Sequence, residues 1–117
     1  MAIWTANDLA IAALRRMSVL ATGQTATAED LDGITTSWRS IHRNLRTEGL
    51  APFPFDAIPE EAQHSLSHIL ADANAGDFGL TGERAALIAK DAQDGISTLQ
   101  KEYAAEDKKL PTRVRYF

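Results

Sequence analysis

The stretch "LDGITTSWRSIHRNLRTEG", Leu31 to Gly49, decides the fold class. Leu31, Ile34, Trp38, Ile41 and Leu45 recur at alternating spacings of three and four, which draws one narrow apolar seam along an α-helix. Thr27 followed by Glu29 and Asp30 marks the helix start, with acids where the helix dipole favours them. Gly49 stops the helix. The other faces carry Arg39, His42, Arg43 and Arg46, with no acid between Asp32 and Glu48. Such a charge run is ordinarily a solvated face. The sharper reading is contact with an anionic surface, either a neighbouring subunit or DNA.

Three further helices are expected around this one. Thr5 is a good N-cap with Asp8 as a capping-box partner, and Leu9, Ala13, Met17 and Leu20 then run at helical spacing toward Gly23. Trp4, before that cap, is placed to staple back near Leu9, while Trp38 on the seam reads as core. "LAPFPFDAIPEE" puts Phe53 and Phe55 beside prolines, where a helix interior is excluded. Pro59 opens the third helix at its first position, with Ala62, Leu66, Ile69, Leu70 and Ala73 as the buried face. Thr81 is the expected cap of the fourth helix, with Gly82 just inside it. Ala85, Ile88, Ala92, Ile96, Leu99 and Tyr103 form its apolar stripe. The seam Trp38–Ile41–Leu45 is expected to bury against helices one and four.

Composition agrees with one all-α domain. The chain has 117 residues, and its 44% hydrophobic content is mostly Ala, Leu and Ile with few aromatics. No apolar run approaches the length of a membrane span, and the first residues lack the pattern of a signal peptide. The absence of cysteine removes disulfides, a thiolate nucleophile and Cys-based metal sites. A net charge of −4 argues against a nucleic-acid sleeve, because phosphate binding needs a concentrated basic face.

The best candidate for chemistry is "EEAQHSLSH", in which His64 and His68 share a helix face with Glu60 or Glu61. Imidazoles four apart can chelate zinc, but Ser65 stands where a metalloprotease helix carries its general base, and a third ligand is not evident. A surface pair is the commoner outcome. There is no Gly-x-Ser-x-Gly elbow, and "GDFGLTGE" lacks the Lys of a phosphate loop and brings Asp77 instead. The paired carboxylates occur at helix starts or in charged runs, where solvation explains them. An enzyme is not expected, nor a cofactor or a metal.

The order of these pieces resembles the tail accessory factor family of bacteriophages, the head-completion adaptors found under the portal of short-tailed phages. The resemblance rests on Ala13-Leu14-Arg15, Val19-Leu20-Ala21, Gly23, Ala28-Glu29-Asp30 and Glu48-Gly49-Leu50 in the first half. In the second half it rests on Ile58-Pro59, Phe78-Gly79, Gly82-Glu83-Arg84 and Tyr116-Phe117. It touches nearly the whole chain through short motifs. Departures keep the seam apolar: Leu45 stands where the family usually has Trp, Trp38 where it has Leu, and Met17-Ser18 where it often has Leu-Gly.

The resemblance implies an all-α head-to-tail connector that assembles as a ring of about twelve copies on the portal protein. Such a ring extends the DNA channel, helps retain packaged DNA and offers a platform to the next tail component, a stopper or nozzle protein. Double-stranded DNA would pass without sequence-specific binding, in a virion assembled in the host cytoplasm, with no membrane partner. Residues 1–107 would form the helical adaptor domain and 108–117 an extended C-terminal arm. That arm, "KKLPTRVRYF", holds four basic residues and no acid. If it is extended, Leu110, Val114 and Tyr116 fall on one side and Arg113 and Arg115 on the other. Such a terminus can also fold over its own helices; the family resemblance instead makes it the portal-binding segment, with Tyr116 and Phe117 as anchors. Arg39, His42, Arg43 and Arg46 are then the expected subunit interface or channel face, with Asp91 or Asp94 as possible partners. The alternative from another class is a small helical regulatory or DNA-binding module that uses the Arg39–Arg46 face. The Pro-rich connection after the second helix and the net charge speak against it. A metal-dependent hydrolase, the third class, rests on His64 and His68 alone.

Overall fold

The computed structural model describes residues 3–18 and 25–104, and in it α1 (Ala6–Arg16) starts where local chemistry says it should. Thr5 Oγ1 accepts from the Asp8 amide at 3.2 Å and Asp8 Oδ2 accepts from the Thr5 amide at 3.0 Å, a complete capping box. The C-terminal end differs from expectation. The helix stops at Arg16, well short of Gly23, and Ser18 takes a left-handed φ of 61°. The Met17 carbonyl freed by this ending is capped from another helix, by Arg84 Nη2 at 3.0 Å. Residues 19–24, including Leu20 and Gly23, lie outside the described residues.

α2 (Ala28–Thr47) is bounded as its sequence indicates. Thr27 Oγ1 accepts from the Asp30 amide at 3.2 Å. At the other end Gly49 adopts φ 79°, the Leu50 amide reaches the Leu45 carbonyl at 2.8 Å and the Gly49 amide reaches that of Arg46 at 3.1 Å. This is a Schellman ending, and the buried side chains of Leu45 and Leu50 flank it. Along the seam Ile34, Trp38 and Leu45 are buried, whereas Leu31 and Ile41 are half-buried.

α3 (Glu60–Asn74) is the central helix, because it packs against α1, α2 and α4 (Gly82–Leu99). Pro59 is its N-cap, one position earlier than expected, with ψ 155° keeping it extended. Three neighbours bury more than one stripe. Ala62, Leu66 and Leu70 are buried as expected, but so are Ser65, Ser67, Ala71 and Asn74, while Ile69 is half-buried and Ala73 is exposed. α2 therefore packs mainly on α1 and α3, so the main second partner of its seam is α3 and not the expected fourth helix. A 3-10 turn, Gly76–Phe78, leads to α4, which opens on Thr81 and on Gly82 at φ 64°. A π-helical turn, Gln100–Ala104, follows α4. Among the described residues the architecture is all-α, with a single isolated bridge between Trp4 and Ile58 in place of any sheet.

Among the described residues the α3–α4 contact is the most extensive, and Gly95 explains how it closes. A Cβ at Gly95 would lie 2.9 Å from the Ser65 backbone oxygen, so only glycine lets the two backbones approach this far. Gly33 in α2, by contrast, has nothing within 4 Å of that position. Gly95→Ala is expected to cost about 1–3 kcal/mol by overpacking against backbone. Gly33→Ala should instead gain about 1 kcal/mol from helix propensity. Urea denaturation of both variants checks this pair, and equal effects would mean that α3 and α4 are not held at this separation.

Candidate functional site

The segment between α2 and α3, residues 50–59, is a non-helical strap whose Phe53 and Phe55 carbonyls are satisfied by side chains from α2. Trp38 Nε1 donates to the Phe55 carbonyl at 2.9 Å, and His42 Nε2 lies 2.7 Å from the Phe53 carbonyl. A carbonyl can only accept, so His42 carries its proton on Nε2. The rings also meet: Trp38 stacks on Phe55 with centroids 6.1 Å apart, and His42 lies 5.2 Å from Trp38 and 6.1 Å from Phe53. The strap then pairs with the segment before α1 through Trp4 and Ile58, at 3.0 and 2.8 Å. Asp56 Oδ1 accepts from the Ala6 amide at 2.7 Å, so the strap also caps α1. Trp4 is thus held by backbone pairing with Ile58, which no local staple requires.

This arrangement divides the basic residues of α2. His42 was expected on the outward face with Arg39, Arg43 and Arg46, and here the structure corrects the expectation. Its exposure is 8%, because it stands one turn beyond Trp38 on the seam side and reaches into the strap. Arg39 lies over the Phe55 ring, with its guanidinium carbon 4.6 Å from the centroid, which fixes a cation at the rim of the aromatic cluster. Arg43 and Arg46 are exposed on the same side of the helix. Their suggested partners are engaged inside the chain: Asp91 is 3.9 Å from His68 Nδ1, and Asp94 is 3.3 Å from Lys90 Nζ. Leu110, Arg113, Val114, Arg115, Tyr116 and Phe117 lie outside the described residues.

The second polar constellation joins α1, α3 and α4. Arg16 donates from Nη2 to His64 Nδ1 at 3.0 Å and from Nε to Ser67 Oγ at 3.2 Å, while Ser67 Oγ donates to the His64 carbonyl at 2.7 Å. Arginine has donors only, so His64 Nδ1 is the acceptor in this contact. The His64 and His68 rings meet edge to face, with centroids 4.6 Å apart. His64 and His68 were singled out by their spacing, but Arg16 was not. Its place in the last turn of α1 gave no sign of which helix it would reach. Among the described residues no three His, Asp or Glu side chains converge as a metal-binding group. None of the helices among them is long and apolar enough to cross a membrane. Comparison with protein-family models, with curated proteins and with solved structures gives no match.

The pKa of His68 is lowered from the ordinary value of 6.5, first by burial, then by Arg16 and His64, with Asp91 opposing. A depressed imidazole pKa means that the unfolded chain takes up this proton first as pH falls. Stability contributed by neutral His68 is complete above about 6.5, declines as pH falls below it, and levels off once the folded pKa is passed. Melting temperature against pH should show this decline in the parent protein and a flatter profile in His68→Gln. Superimposable profiles would show that the ring is not held neutral by its surroundings.

Proposed function

We propose that this chain is a structural connector, a bacteriophage head-to-tail adaptor that assembles in a ring on the portal and continues the DNA channel. The observation that carries the reading is the run of short motifs resembling tail accessory factors, from Ala13-Leu14-Arg15 to Gly82-Glu83-Arg84, set on four helices in an all-α domain. Two of these motifs have a local structural meaning here. Glu48-Gly49-Leu50 forms the Schellman ending of α2, and Arg84 caps the carbonyl at the end of α1. An adaptor of this kind needs an outward face for its neighbour, and α2 offers Arg43 and Arg46, exposed beside the anchored Arg39. A repeated ionic contact around a closed ring can set register although each exposed pair is weak. The net charge of −4 suits a conduit in which DNA must slide. The burial of His42 removes it from the outward basic face under either reading, the connector or the alternative DNA-binding module.

Two outcomes follow for assembly on a portal. Arg43→Glu should reduce ring formation at low salt, measured by analytical ultracentrifugation with portal present, without changing the helical circular dichroism signal. Removal of Arg113–Phe117 should leave the melting temperature unchanged and abolish co-sedimentation with the portal, as expected of an arm that binds by strand or groove addition. Full portal binding by the truncated chain would contradict the role given to the arm, and a gel shift of duplex DNA by the parent chain that Arg43→Glu removes would contradict the connector reading.

A further inference from the structure

A cleft of about 500 Å³ opens where the end of α1 meets α3 and α4, lined by Trp4, Arg15, Arg16, His68, Ile88 and Asp91 among others. Its size is that of a small-molecule site. The walls are of two kinds. Trp4 and Ile88 offer apolar surface, whereas Arg15 and Arg16 bring consecutive guanidinium groups from the last turn of α1.

Arg16 is held unusually for a surface arginine. The edge of its guanidinium formed by Nε and Nη2 is spent on Ser67 Oγ and His64 Nδ1, neither of them a carboxylate. Ser67 is itself fixed by the His64 carbonyl, so the clamp has defined geometry on both sides. No carboxylate pairs with Arg16 among the described residues. The end-on fork between Nη1 and Nη2 is therefore oriented in advance and has no anionic partner among the described residues, the arrangement that suits bidentate binding of a planar or tetrahedral oxyanion. The acid lining the cleft, Asp91, sits 3.9 Å from His68 and is 51% exposed, so it is partly screened by water. Among the described residues lining the cleft, two arginines stand against one carboxylate, a positive balance in a chain whose overall charge is negative. Orientation before binding also lowers the entropic cost of holding a long side chain on a ligand.

We propose that this cleft binds a small oxyanion, a phosphate or a carboxylate, held by the clamped Arg16 with Arg15 and His68 beside it. The site does not depend on the connector reading and would hold for a protein of any other role.

Histidine ring resonances read this directly, because the chain has three histidines and His42 lies buried in the separate aromatic cluster. Inorganic phosphate and citrate are titrated separately into the full chain at fixed ionic strength near neutral pH. Saturable shifts of the His64 and His68 signals, with His42 unmoved, support the site, and the anion with the tighter curve tells phosphate from carboxylate. Arg16→Gln should weaken that binding about tenfold or more, as loss of a charge-assisted contact does, while Arg43→Gln on the outward face of α2 should leave it unchanged. Because Arg16→Gln also loosens the clamp, Arg15→Gln provides a second variant that leaves the bonds to Ser67 and His64 in place, and it too should weaken binding. The proposal is overturned if neither anion gives a saturable shift, if His42 moves with the other two, or if Arg43→Gln weakens binding as much as Arg16→Gln does.

Discussion

The rest of the structure depends on two buried donors of α2 that hold a strap with little regular structure of its own. Residues 50–59 contain Pro52, Pro54 and Pro59, which cannot donate backbone hydrogen bonds, and their carbonyls still need partners once covered. Trp38 Nε1 and His42 Nε2 supply those partners at Phe55 and Phe53. Gln63 Nε2 does the same for the Ile58 carbonyl at 3.1 Å, from the first turns of α3. An unsatisfied buried carbonyl costs about 1–3 kcal/mol, so these contacts matter more for what their loss would leave behind than for their net gain. Through Asp56 and the Trp4–Ile58 bridge, the same strap ties down the start of α1.

This constraint also decides what the surface presents. With the strap in place, Phe55 offers a ring face to Arg39, and α2 is oriented so that Arg43 and Arg46 stay outside while His42 goes in. On the far side of α3, the close approach permitted by Gly95 brings Asp91 toward His68. Arg16 closes that side from α1. The two polar regions thus arise from different causes. One is an aromatic cluster stitched to backbone, and the other is a three-helix junction in which Arg16 is held by a serine and a histidine.

Much of the fold was legible because helix signals are local. The seam from Ile34 to Leu45, the caps at Thr5 and Thr27, and the stop at Gly49 depend on residues within one or two turns of each other. What could not be read depends on partners distant in sequence. Nothing in the pattern says that the acceptor for His42 is a carbonyl eleven residues on, and its residue type, beside Arg43, suggested solvent instead. The stop of α1 at Arg16 was missed because the group that caps it, Arg84, comes from α4. Gly95 did leave a signal, a lone glycine inside the stripe Ala92–Ile96–Leu99, and such a glycine in a helix usually has a packing reason. The buried serines of α3 left none, since only the presence of three neighbouring helices makes Ser65 and Ser67 interior positions. The arginine clamp was half visible, through the spacing of His64 and His68, but its central residue was not.

The strap's role is tested most directly by native-state hydrogen exchange on Trp38→Phe, which keeps an aromatic ring on the seam and removes the donor to Phe55. The amides of Trp4, Ala6 and Ile58, which are bonded to or through the strap, should lose protection by about tenfold or more beyond any change in the core of α3 at Leu66 and Leu70. A uniform loss at all five amides, or no loss at the first three, would contradict the claim that Trp38 holds the strap and the strap holds α1.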